Sequence, residues 1–150
     1  MENPLLQIKT AIIEKLNQLD PDVEVFAEEI LMIREEGGDV AKSYYFVESI
    51  PTGNQTVDSY FTDMSVLVDI AFHDRSERND MYLQRQMDID ELMRPVLSFG
   101  DRHITINSAS SRIVDRVLHY TFTLQFRVSR EKANEFEFMG ELEVIVKEGE

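Results

Sequence analysis

The side chains that could do chemistry are few. His73 and Asp69 fall on the same side of an alternating segment, so they could present two metal ligands on one strand face, but no third ligand follows at a motif spacing. His103 and His119 also sit in strand-like stretches, and exposed structural histidines are the expected role of all three. Carboxylates recur as Asp88, Asp90 and Glu91, and again as Glu141 and Glu143, which is the pairing a general acid and base would need. In a chain with 29 acidic residues such pairs arise from composition alone. Gly37-Gly38 lacks the lysine of a phosphate-binding loop, and no serine stands in a G-x-S-x-G elbow. There is no cysteine, hence no thiol nucleophile, thiolate site or disulfide. No catalytic, cofactor-binding or metal-ligating residue is therefore assigned, and no cofactor is expected.

Charge narrows the partners. Fifteen basic against 29 acidic residues leave a formal charge of -14, a field that repels nucleic-acid phosphates and anionic membrane surfaces. The asparagine of Asn54-Gln55-Thr56 fits a glycosylation acceptor by pattern only. MENPLLQIK has no basic region leading into an apolar run, and no stretch approaches the length of a membrane span, so a cytoplasmic protein is expected. With 43% hydrophobic residues the chain is apolar enough to build a core, and its length suits a single domain over 1–150.

The elements that must position these residues are legible from periodicity. Asn3-Pro4 opens a helix whose stripe is Leu5, Ile8, Ile12, Leu16 and Leu19, stopped by Asp20-Pro21-Asp22. A short strand is expected over 23–27. Residues 28–42, with Leu31, Met32 and Ile33 among acids and Gly37-Gly38 near the end, suit either a helical turn or an extended arm. Residues 44–50 read as a strand ended by the turn cluster Pro51-Thr52-Gly53-Asn54. From Tyr60 the alternation is clear, with Met64, Val66, Val68, Ile70 and Phe72 on one face of a long half-buried strand.

A second helix follows residues 74–80, with Met81, Tyr82, Ile89, Leu92, Met93 and Val96 on one side and an end at Pro95. Arg85 lands within that stripe; the favoured role is a stem along the apolar face with its guanidinium in water, the alternative a buried pair with a carboxylate. Strands follow at Ile104 and Ile106, at 117–128 with every even position apolar, and at 136–146, and residues 107–111 read as a hairpin turn. Helix, strands, helix, strands imply an α+β fold: a mostly antiparallel or mixed sheet with two helices on one face.

Interaction surfaces are easier to motivate than reactions. Long outer strands such as 117–128 invite pairing with another chain, and Leu31, Met32 and Ile33 could anchor in a partner or cover the chain's own core.

The segment VLHYTFTLQFRVSREKANEFEFMGELEVIVKEGE, residues 117–150, resembles the bacteriophage tail terminator family of Gram-positive phages and prophages. The likeness lies in the aromatic alternating strand, the charged turn, and Met139 before Glu-Leu-Glu-Val; it extends to the first helix, to Tyr44-Tyr45-Phe46-Val47 and its polar loop, and to Tyr60-Phe61. The resemblance implies a small α+β subunit that closes into a ring, commonly a hexamer. Such a ring caps the head-proximal end of the tail tube, stops tube polymerisation and offers a surface to the head connector. The implied partners are copies of the chain itself, the tail-tube protein and the connector protein, in the host cytoplasm during assembly and then in the virion neck. Acidic charge would also suit a channel through which DNA slides.

One departure is the length of 28–42, which leaves open what this stretch does and whether the likeness is to the terminator or to a neighbouring neck protein. The expected interface residues are Leu31, Met32 and Ile33 in that stretch, with Pro51, Asn54, Gln55 and Ser59 in the following loop. The competing reading is a small ligand-binding domain or enzyme with a cleft between helices and sheet.

Overall fold

The structure is a computed structural model, and it describes residues 3–27 and 42–129. Among these, α1 (Pro4–Leu19) precedes β1 (Glu24–Phe26), β2 (Tyr44–Thr56) and β3 (Phe61–His73); α2 (Asn79–Met93) leads to β4 (Val96–Phe99), β5 (Arg102–Thr105), β6 (Ser110–Val114) and β7 (Val117–Ser129). The five-stranded sheet has the order β1-β2-β3-β7-β6, and β4 and β5 form a separate two-stranded sheet. The α+β expectation holds. The stretch 28–41, with Leu31, Met32 and Ile33, and the strand expected at 136–146 lie outside the described residues.

The chain divides into two compact units, one of Met1–Pro51 with Val66–Leu124, the other of Thr52–Ser65 with the chain from Gln125. In the larger unit, α1 forms because Asn3 Oδ1 accepts the Leu5 amide at 2.8 Å and Pro4 opens the first turn without needing a donor. Ile8, Ile12 and Leu16 are fully buried, and the helix ends at Asp20, whose N–H still reaches Leu16 O at 2.9 Å. Each such side chain contributes up to about 1.5–3 kcal/mol by leaving water. The helix packs on β1, β4 and α2.

On the sheet, Val66, Val68, Ile70 and Phe72 of β3 and Leu118, Tyr120, Phe122 and Leu124 of β7 are buried, as their period of two requires. Tyr45 lies 5.0 Å from Phe72, and Phe72 meets Tyr82 of α2 edge-on at 6.0 Å, so this face carries the helices.

Several expectations are corrected. Pro51-Thr52-Gly53-Asn54 does not end a strand; β2 runs on to Thr56. β1 pairs with β2 only as far as Phe46, so among the described residues Pro51 has a strand neighbour on one side alone, an edge position where proline is tolerated. Val96 leaves the helical stripe and is exposed on β4, whereas Leu97 and Phe99 point inward. Gly100, at φ +58°, turns β4 into β5, a hairpin with too short an apolar pattern to announce itself. Ser110 and Ser111 belong to β6, not to a turn; β6 is exposed throughout and pairs antiparallel with β7 from Ser110↔Thr121 to Val114↔Val117. The strand 117–128 is consequently not outermost along its whole length. The turn between β6 and β7 is Asp115-Arg116, both at positive φ, 51° and 64°.

Arg85 takes the alternative given for it. Its side chain is 15% exposed, its guanidinium lies 3.2 Å from both Asp20 and Asp88, and its centre stands 5.1 Å over the Phe72 ring. Tyr45 donates to Asp20 at 2.7 Å, which ties the end of α1 to the sheet. A second set repeats the arrangement: Tyr120 donates to Asp90 at 2.6 Å, and Arg94 Nε donates to the same oxygen at 2.7 Å. Arg94 and Tyr120 together hold the Asp90 carboxyl below the usual carboxylate range. Burial, reinforced by the bonds to Asp20 and Asp90, pushes the Tyr45 and Tyr120 hydroxyls far above the ordinary tyrosine value.

Candidate protein interface

The metal-site geometry weighed for His73 and Asp69 is not formed. Asp69 faces His119 of the adjacent strand, with Nδ1 at 3.2 Å from both carboxylate oxygens. His73 is buried, not exposed; it stacks on Tyr44 at 5.3 Å and its Nδ1 lies 3.3 Å from Arg116 O. His103 is exposed and bonds Ser98 across the β4-β5 hairpin at 2.7 Å. Among the described residues no group of three His, Cys, Asp or Glu side chains converges as a metal site would require. No described helix is long and apolar enough to cross a membrane.

The smaller unit concentrates features of another kind. The β2-β3 hairpin closes on Asp58, whose Oδ1 accepts the amides of Tyr60 at 2.7 Å and Phe61 at 3.0 Å, while Val57 N donates to Phe61 O at 3.1 Å. An aspartate bonding its own backbone two and three residues on is a rigid turn. That turn displays large apolar side chains: Val57 is 40% exposed, Tyr60 51% and Phe61 38%. Aromatic groups on an ordered tip lose little conformational freedom when buried by a partner, which is why Tyr is enriched at interfaces.

Behind the tip, Arg127 of β7 donates through Nε to Asp63 at 2.8 Å and stands 5.9 Å over the Phe61 ring. The Arg127 bond draws the Asp63 carboxyl below its ordinary range. The pair is half exposed, so its role is orientation of Phe61 more than stability. Asn54, Gln55, Asp63, Ser65, Gln125 and Arg127 line an open polar concavity of about 520 Å³ on the same unit.

Of the sequence-derived interface residues, Asn54 and Gln55 thus lie in this concavity, Ser59 in the tip turn, and Pro51 in β2 where the larger unit ends; all four are exposed. Leu31, Met32 and Ile33 fall outside the described residues. Sequence reasoning missed Val57, Tyr60 and Phe61. Their signal was present, apolar residues flanking Asp58-Ser59, but the aromatic pair was absorbed into the start of the next strand.

An ordered apolar tip beside a polar hollow, on a chain whose described residues hold no reactive cluster, is what an assembly subunit needs. The comparison with curated proteins returned no match. Among solved structures, one aligns at 13% identity and a TM-score of 0.46, covering 83% of this chain and 94% of its own. A family model described as phage tail terminator protein matches residues 7–135, most of the chain and all but a few of its described elements' residues. The chain therefore belongs to the phage tail terminator family, a family of structural proteins of the virion tail.

Proposed function

We propose that the chain caps the head-proximal end of the tail tube, ends its polymerisation and joins tail to head as a ring of identical subunits, commonly six, without a catalytic role. The observation that carries the docking part is the exposed cluster Val57, Tyr60 and Phe61 on the Asp58 turn. In this reading the tip enters an apolar recess on the tube or on the next subunit. Asn54, Gln55 and Ser59 supply the polar rim around it, and Pro51 and the group Leu31, Met32 and Ile33 make further contacts with the partner. Assembly takes place in the host cytoplasm, and the finished ring faces the tube on one side and the connector on the other. A net charge of -14 suits a passage for DNA, because like charge opposes adhesion.

The test is electron microscopy of tails assembled with and without the protein, and with Tyr60→Ser/Phe61→Ser. Both changes are on exposed side chains, so circular dichroism should match wild type while tubes lose their uniform length. Tubes of normal, uniform length in the absence of the protein would refute capping. Normal capping by the folded double variant would remove the tip from the interface.

A further inference from the structure

The described sheet ends in two short strands of opposite charge. β6 reads Ser110-Ser111-Arg112-Ile113-Val114, is exposed throughout, and holds Arg112 opposite His119. β1 reads Glu24-Val25-Phe26, follows Asp22, and pairs parallel with β2. Among the described residues neither strand has a sheet neighbour on its outer side. An outer strand offers backbone donors and acceptors to any chain that lies alongside. β6 contains no proline, its register with β7 is unbroken, and its one charged side chain is Arg112. It also shows Ile113 at 43% and Val114 at 42% exposure.

Self-pairing is disfavoured by chemistry. Two β6 strands related by a two-fold axis through their centres would set Arg112 against Arg112, and like charges directly opposite destabilise a strand pair. Glu24 offers the complement. Its present partner, Lys42, is 3.6 Å away with both side chains mostly in water, a pair weak enough to exchange.

We infer that β6 of one subunit adds in parallel to β1 of the next, with Arg112 against Glu24, Ile113 against Val25 and Val114 against Phe26. The two patches differ, so the contact is head-to-tail, and a head-to-tail contact that closes generates a ring. This rests on the ring reading above and names the surface that builds it.

The chain has no cysteine, so introduced thiols report without background. Arg112→Cys, Glu24→Cys and the double variant are assembled onto tails, oxidised and resolved under denaturing, non-reducing conditions. Strands paired at these positions fall within the span a disulfide can bridge. The double variant should give a ladder ending at the ring, an equal mixture of the single variants a dimer, and each single variant alone only monomer. Arg112→Glu should abolish the ring and Arg112→Glu/Glu24→Arg restore it. Dimers from Arg112→Cys alone would show self-pairing and overturn the inference. Uniform tails without any cross-link would also overturn it while leaving capping intact. A ladder from a protein that does not control tube length would keep the contact and discard capping.

Discussion

Truncation of Arg85 to alanine is the sharpest probe of how this core is held. The change removes the cation between Asp20 and Asp88, whose side chains are 22% and 23% exposed, and strips the charge from above Phe72. Removing one partner of a fully buried ion pair costs about 3–5 kcal/mol. Residual hydration of the two carboxylates lowers that figure, and loss of the contact with the Phe72 face adds about 0.5–1 kcal/mol. The net expectation is about 3 kcal/mol, which for a chain of this size lowers Tm by about 6–12 °C.

Urea unfolding followed by circular dichroism measures it, with an unchanged slope against denaturant required for the comparison. The companion is Arg85→Met/Asp20→Asn/Asp88→Asn, which leaves no buried charge and keeps an acceptor for Tyr45; it should return to within about 1 kcal/mol of wild type. A cost under about 1 kcal/mol for Arg85→Ala, or a triple variant no more stable than Arg85→Ala, would refute the reasoning.

Three further outcomes follow from the same core. Tyr45 and Tyr120 have hydroxyls raised above the ordinary tyrosine value of about 10, so their stabilisation is complete below that pH and is lost as pH rises beyond it; alkaline titration at 295 nm should show both ionising only with unfolding. Asp90 is depressed, chiefly by its bond from Arg94, so its contribution is present above about pH 3.9 and lost as pH falls through its folded value; Asp90→Asn should flatten the acid limb of the stability curve. Gly100→Ala forces a side chain onto φ +58° and sets its Cβ 2.6 Å from Gln7 Oε1; a loss of about 1–2 kcal/mol in thermal or urea unfolding is expected, part of it recovered by Gln7→Ala.

What the sequence disclosed was whatever repeats along one element. The stripe of Ile8, Ile12 and Leu16 and the even-numbered apolar positions of β3 and β7 locate α1 and the central sheet without further help. The elements that escaped lack a period to read: β4 has four residues and reads as the end of the helix, and β6 buries nothing, whereas β5, also of four residues, is expected from Ile104. Pairing between distant residues was invisible for a different reason. Asp20 looked like part of a helix stop and Arg85 like a snorkelling side chain; only the fold brings them within 3.2 Å, with Tyr45 beside them.

The candidate interface divides in the same way. Asn54, Gln55 and Ser59 were named because polar turn residues mark loops, whereas Tyr60 and Phe61 read as ordinary strand residues until the Asp58 turn was seen to hold them outward.

Pro51 has a bearing on how such a subunit survives before it is needed. Beyond Phe46, β2 has β3 on one side and no described strand on the other, so among the described residues this stretch is an outer one. Proline in an outer stretch is one of the devices by which sheets resist strand addition by stray copies. Replacing it with valine would be expected to leave the fold intact and shorten the time the stored protein stays dispersed.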